Sequence, residues 1–322
     1  MFDEAIISQQ PTANSQPIVL PLSQDKHYED FERERLDPIY DVIAQYSEMA
    51  KNERYFLNGI IRALKPKKIL EVGVANGGGS AIILNAISDI DGADLYSVDY
   101  LEYSYRHPDK TSGFLVEDKF PQFMNKWHIF RGGDISCFIE EIGGDIDLLV
   151  LDTSHTHPWE TLNFLCVLPF MRIESLTVLH DITMQYARKK ARSEVACRYL
   201  FSHVVSDEKF SPVPDHEGLL SNIGAFKVSE AALKYVNTLF ESLLIPWGTE
   251  VKPEDMETIS AIIRKYYSPE QYKFFCDALN FQKYLKHCKD TYKADFYPSL
   301  KIFLKSWQPG LFKLLKRILK GK

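Results

Sequence analysis

The sequence predicts an α/β protein, a mostly parallel sheet with helices on both faces. Three observations carry this. Short apolar runs alternate with helical patterns from Lys68 to Val228. One run, Ile146 to Leu151 (IDLLVL), is apolar almost throughout, the composition of a strand buried on both faces of a parallel sheet. The stretch Lys68 to Ser80, KILEVGVANGGGS, reads as strand, glycine-rich turn and helix start. Such a unit places a ligand at the carboxyl end of the strand, against the helix N-terminus.

Composition bounds the class. A chain of 322 residues suffices for one large domain or two smaller ones. With 45 % hydrophobic and 25 % charged residues it has an ordinary soluble composition. The net charge of −6 argues against nucleic acid as a partner. The five cysteines are scattered and include no C-x-x-C pair. Free thiols in a reducing compartment, the cytoplasm, are therefore expected, not a disulfide frame or zinc site. No apolar run reaches the length of a membrane span. The N-terminus lacks the basic start and apolar core of a secretory signal.

Three regions are expected: an N-terminal arm over residues 1–28, a sheet domain over 29–230, and a separate helical region over 231–322. Tyr28 to Leu64 reads as helical and ends at Lys65-Pro66. The first strand is about Lys68 to Val74, and its helix runs to about Ser88. Leu95 to Tyr100 is the second strand and His128 to Arg131 the third. Tyr103 to Lys126 between them is long enough to carry helix and loop over the site. Ile146 to Leu151 is the fourth strand, and a helix follows from Trp159 to Phe170 after Pro158. Ser175 to Leu179 is the fifth strand, Gln185 to Leu200 a basic helix and Phe201 to Ser206 a sixth strand. Phe210 to Leu220 is a loop, and Asn222 to Val228 the last strand.

The spacing within the glycine turn is Glu71-x-Gly73-x-x-x-Gly77, followed by Gly78, Gly79 and Ser80. The dinucleotide fingerprint would need glycine where Ala75 stands. Glu71 also disfavours a pyrophosphate and favours a cation. S-adenosylmethionine (SAM) carries an ammonium and a sulfonium, plus a carboxylate for the free N–H groups of the helix start. Asp99 closes the second strand 26 positions after Gly73, near the spacing of a ribose-binding carboxylate. A carboxylate accepts from both vicinal ribose hydroxyls. Gly132-Gly133-Asp134-Ile135 after the third strand reads as a turn with a helix cap by Asp134 or Ser136, a reading that leaves room for a further role.

Two central strands deliver polar groups at their carboxyl ends: Asp152-Thr153-Ser154-His155 and His180-Asp181-Ile182. Open α/β sheets place their chemistry there. Taken in order, these motifs over roughly residues 50 to 230 resemble class I SAM-dependent methyltransferases. They are most similar to the macrocin O-methyltransferase and cephalosporin-hydroxylase-like subgroup. The chain departs from that pattern in having Thr153-Ser154 where Gly-Asp is common. The resemblance implies a Rossmann-like, mostly parallel seven-stranded sheet whose last strand is antiparallel. It implies cofactor contacts at Glu71, Gly73, Val74, Ala75, Asn76, Gly77 and Ser80 in the turn. Asp99 and Tyr100, then Gly133, Asp134 and Ile135 beside the adenine, then Asp152 complete the set.

Methyl transfer to a hydroxyl needs a base poised near neutral pH, and His155 and His180 qualify by type. Asp152 and Asp181 could orient them or bind a divalent metal such as Mg2+. Relative to metal-dependent O-methyltransferases, His180-Asp181 or Asp181-Ile182 lacks one oxygen ligand. The expected activity is O-methylation of a small hydroxylated molecule, a sugar or natural product. The alternatives are a nucleotide-dependent oxidoreductase, or an interaction module built on the same fold. The tail Leu311 to Lys320 is basic and amphipathic. It suits an anionic membrane surface, its own protein or a second copy in a homo-oligomer.

Overall fold

The protein is described by a computed structural model covering residues 22–23, 27–184, 195–212 and 221–292. The arginine- and lysine-rich stretch 185–194, most of the loop 210–220 and the amphipathic tail lie outside the described residues.

Among the described residues eight strands form one sheet: β1 (Leu22–Ser23), β2 (Lys68–Val72), β3 (Asp94–Asp99), β4 (Trp127–Arg131), β5 (Ile146–Leu151), β6 (Met171–His180), β7 (Lys209–Phe210) and β8 (Ile223–Val228). Their order is β1-β7-β8-β6-β5-β2-β3-β4. All neighbours run parallel except β8, which is antiparallel to both β6 and β7. The expected antiparallel closing strand is thus β8. The expected seven strands gain an eighth, β1, from the N-terminal arm. The sixth is not at Phe201 to Ser206, whose first half closes a helix at His203 and whose second half forms no strand. Chain order reverses between β2 and β5, and that switch point opens a crevice at the strand ends.

The helices are α1 (Tyr40–Ala44), α2 (Lys51–Leu64), α3 (Gly78–Ile87), α4 (Phe114–Lys119), α5 (Ile135–Ile142), α6 (Trp159–Val167), α7 (Ala196–His203), α8 (Glu230–Lys234), α9 (Asn237–Ser242), α10 (Pro253–Tyr266) and α11 (Pro269–Tyr292). The continuous helix expected from Tyr28 to Leu64 is broken. Three single 3-10 turns precede α1, with Pro38 in the third and Glu32 left-handed at φ 43°. Residues 45–50 then cross the start of α3 as an irregular loop. Asn76 Nδ2 donates to the Tyr46 carbonyl at 3.1 Å. A Cβ on Gly78 would stand 2.7 Å from the Ser47 Cβ, so glycine lets this crossing occur.

Two apolar layers sandwich the sheet. On one face α2 and α3 bury Phe56, Ile60, Ile82 and Leu84 against Ile69, Leu95 and Val150. On the other, α5 and α6 bury Ile139 and Phe164 against Leu70, Leu149 and Leu179. The helices beyond residue 230 share this second core through Phe240, Ile259, Ile263 and Phe275. The separate helical region expected from 231 is therefore, over its described part, an added layer of the same core. Fully burying one such side chain is worth roughly 1.5–3 kcal/mol, enough for four of them to fix the added layer to the sheet.

Candidate active site

The glycine turn is built by close approach. Gly73 follows β2 with φ 96°, and its N–H donates to the Val98 carbonyl at 2.9 Å. A Cβ there would stand 1.8 Å from the Asp152 carbonyl oxygen. Only glycine lets the turn lie against the end of β5. Asp99, closing β3, pins the turn: its Oδ2 accepts from the N–H groups of Val74 (3.0 Å) and Ala75 (2.8 Å) and from Ser112 Oγ (2.7 Å). Among the described residues its Oδ1 accepts only from Leu101 N, at 2.9 Å. A carboxylate has roughly four acceptor positions, so Asp99 has room for one hydroxyl more readily than for the two expected from sequence.

Glu71 is only 2 % exposed. Its Oε2 accepts from Ser80 Oγ (2.6 Å) and Ser97 Oγ (2.7 Å), and Trp127 Nε1 donates to Ser97 Oγ at 2.9 Å. Burial outweighs these bonds and pushes the carboxyl up to about 7. Ser80, expected as a cofactor contact, is instead a buried partner of Glu71. Gly77 caps α3, where a Cβ would approach the Gly113 Cα to 3.0 Å. Neither Ser80 nor Gly77 borders the cavities described next.

A cleft of about 600 Å³ opens at the switch point. Of the residues expected to hold a cofactor, Gly73, Val74, Ala75, Asp99, Tyr100, Gly133, Asp134, Ile135 and Asp152 line it. A narrower recess of about 90 Å³ adjoins it, bordered by Glu71, Asn76, His180 and Asp181. Asp134 also caps α5, its Oδ1 accepting from Ser136 N at 2.9 Å, and burial raises its pKa. Of the two readings of that residue from sequence, the helix cap is present, and Asp134 also lines the cleft.

The parallel pairing of β5 with β6 sets their carboxyl ends side by side, Leu151 opposite Leu179. Asp152, His155, His180 and Asp181 meet there. His155 Nε2 lies 3.0 Å from Asp181 Oδ2 and 3.7 Å from Asp152 Oδ1. Both His155 and Asp181 hold left-handed backbone, at φ 58° and 60°. The buried His180 turns Nε2 to Glu53 Oε2 at 3.1 Å and Nδ1 to Asp152 Oδ1 and Asp181 Oδ2, each at 3.4 Å. Burial alone would lower the pKa of His180, but Asp152, Asp181 and Glu53 outweigh it and raise the value well above that of free imidazole. These carboxylates favour the protonated form of His180, which speaks against its expected service as a base. Burial would raise Asp181, yet His180, His155 and Asn222 bring it down to about 2.

Sequence reasoning passed over several residues here. Glu53 reaches the site from α2 while its Oε2 also accepts the Ala50 N–H at 2.6 Å. Glu160, fully buried on α6, accepts from His155 N (2.7 Å) and Thr153 Oγ1 (2.9 Å) and so shapes the loop that presents His155. Asn222 donates to Asp181 Oδ1. Cys197 Sγ lies 3.6 Å from His155 Nδ1. The one available signal was Glu160, close behind the strand-end histidine; nothing in the sequence links Glu53 to His180.

Asp152, His155 and Asp181 each offer one donor atom within 4.8 Å of the others. A hard cation such as Mg2+ prefers an octahedron of oxygens. Here two carboxylates already face the imidazoles of His155 and His180, and Asp181 also holds the Asn222 amide. As arranged, the donor set suits ion pairing among these side chains better than Mg2+.

No curated protein matches the chain. Among solved structures it is similar to the O-methyltransferase TomG from Streptomyces achromogenes, with TM-score 0.45 and 14 % identity over 65 % of this chain and 92 % of that one. It is similar to an O-methyltransferase from Bacillus cereus, with TM-score 0.42 and 13 % identity over 60 % of this chain and 90 % of that one. It is similar to MycE from the mycinamycin biosynthetic pathway, with TM-score 0.40 and 16 % identity over 64 % of this chain and 56 % of that one. These scores are too low to carry function across. A family model described as a methyltransferase domain matches residues 70–182. That span runs from within β2 to just past Asp181 and contains the glycine turn and both polar strand ends. Residues 70–182 of this chain are thus similar to a methyltransferase domain.

Proposed function

We propose that the chain binds SAM in the 600 Å³ cleft and transfers its methyl group to a hydroxyl of a small molecule, a sugar or other natural product. The observation that carries this is the packing of Gly73 on the Asp152 carbonyl. It brings the cofactor-type turn and the His155–Asp181 pair to one crevice. The residues suit the cofactor. Buried Glu71 lacks a cationic partner among its hydrogen bonds and borders the recess where an ammonium would sit. Asp99 keeps acceptor capacity for ribose, and the cleft walls at Val74, Tyr100 and Ile135 suit an adenine ring.

SAM, when bound, supplies an electrophilic methyl group on a sulfonium. The chain must then place a hydroxyl and take its proton. His155 does the second. It borders both cavities, and Asp181, 3.0 Å away, stabilises the imidazolium that forms. His180 stays protonated and serves as a fixed positive charge between Asp152 and Asp181. The free thiols among the described residues suit a reducing, cytoplasmic setting. The test is calorimetry with S-adenosylhomocysteine (SAH). Wild type is expected to bind in the micromolar range and Asp99→Ala to lose binding; no SAH binding by wild type refutes the reading.

A further inference from the structure

Residues 250–258 lie far beyond the matched domain, yet they reach its cleft. Glu250 and Lys252 line the wall next to Tyr100. Tyr100 follows Asp99 and is held from three sides. Its hydroxyl donates to Asp255 Oδ2 at 2.8 Å. Lys252 Nζ stands 4.8 Å from the ring centroid, and Trp159 meets the ring edge-on with centroids 6.0 Å apart. Asp255, third residue of α10, is buried at 6 % exposure, so the hydroxyl it receives has little water to compete with it. One turn on, Thr258 Oγ1 and Ser136 Oγ lie 2.6 Å apart, tying α10 to α5 beside Asp134.

These contacts have one thing in common: each fixes the end of the cleft at Tyr100, Asp134 and Ile135. We propose that the segment Glu250–Asp255 belongs to the nucleoside subsite. Asp255 locks Tyr100 as an aromatic wall for the base, and Lys252 donates to an acceptor on the adenine or ribose. The assignment rests on the SAM reading above. It gives the helices after residue 230 a part in binding, not only in packing. Lys252 has the chemistry for this role, being exposed at the rim with three donors on a flexible stem. Adenine ring nitrogens and ribose oxygens are acceptors. Tyr100 lines the cleft with its hydroxyl held by Asp255 and its ring packed by Trp159 and Lys252.

The experiment is calorimetry of full-length protein with two probes, SAH and adenosine. The variants are Lys252→Ala, Lys252→Met, which retains an apolar stem, and Lys265→Ala. Lys265 sits on α10, the helix that Lys252 precedes, exposed and paired with Glu140, away from the cleft. Loss of one charge-assisted hydrogen bond predicts about tenfold weaker binding of both probes for Lys252→Ala and Lys252→Met. Lys265→Ala should bind as wild type, and all three should keep the wild-type melting temperature without ligand. Lys252 variants that bind SAH within about twofold of wild type overturn the proposal. So does a loss for SAH that adenosine does not share, because the contact would then lie outside the nucleoside. A wild type that binds neither probe removes the proposal together with the SAM reading, an outcome distinct from both.

Discussion

Glu71→Gln isolates the charge at the heart of the cofactor turn. The substitution keeps the shape of the side chain, so the bonds from Ser80 and Ser97 can persist. It removes ionisation. In the folded protein the Glu71 carboxyl sits at about 7, against an ordinary 4.5. The folded state therefore holds a proton that the unfolded state releases between these values. Stability falls as pH rises from about 4.5 to 7 and is level above that. A difference of roughly 2.5 units at 1.36 kcal/mol each is about 3 kcal/mol, a sizeable fraction of a typical folding free energy. Urea unfolding at a series of pH values from 5 to 8 measures this directly. Wild type should lose up to about 3 kcal/mol across that range through Glu71, and Glu71→Gln should lose that much less. Ligand sharpens the test. A cation beside Glu71 favours its ionised form, so SAM binding should release part of a proton near pH 6 and should strengthen as pH rises to 7. Parallel stability profiles for wild type and Glu71→Gln would refute the reasoning.

Gly73→Ala should abolish SAH binding and cost about 2–5 kcal/mol in urea unfolding, because a Cβ would stand 1.8 Å from Asp152 O at a backbone φ of 96°. His155→Ala should lower kcat by about 10²–10⁴ in single-turnover methyl transfer while leaving the SAH Kd nearly unchanged; equal losses in both would move His155 from proton transfer to cofactor binding. Phe275→Ala should cost about 3–5 kcal/mol and lower one shared calorimetric transition, since Phe275 is fully buried in the same core as Leu70. Two separate transitions, only one of them shifted, would show that the helices after residue 230 fold as their own unit.

Much of the fold was legible because strands buried on both faces have nowhere to hide polar residues. Ile146–Leu151 and Ile223–Val228 fall within a residue of their expected bounds for that reason. The turn was legible through Glu71, Gly73 and Asp99, whose types are dictated by close approach and charge. Phe201 to Ser206 was not. Its β-branched valines suggest a strand, while Cys197, Leu200, Phe201 and Val204 bury at helical spacing. The break at 45–50 depends on Ser47 seating over Gly78, a contact between distant segments. The same holds in the site. The partners of His180 come from α2 and from two strand ends, and its protonation follows from all three together. Residue type could nominate His180 as a base; only its surroundings favour the imidazolium, which has no lone pair to offer.

The two-residue strands β1 and β7 that finish one side of the sheet bear on solubility at high concentration. A long, bare border strand is a template on which another chain can add rung after rung of backbone bonds. Among the described residues the outermost strand is two residues long, so those residues offer only two rungs to such an intruder. Among the described residues the border is blunted by brevity. The sheet is therefore expected to resist growth from that margin even when the protein is crowded.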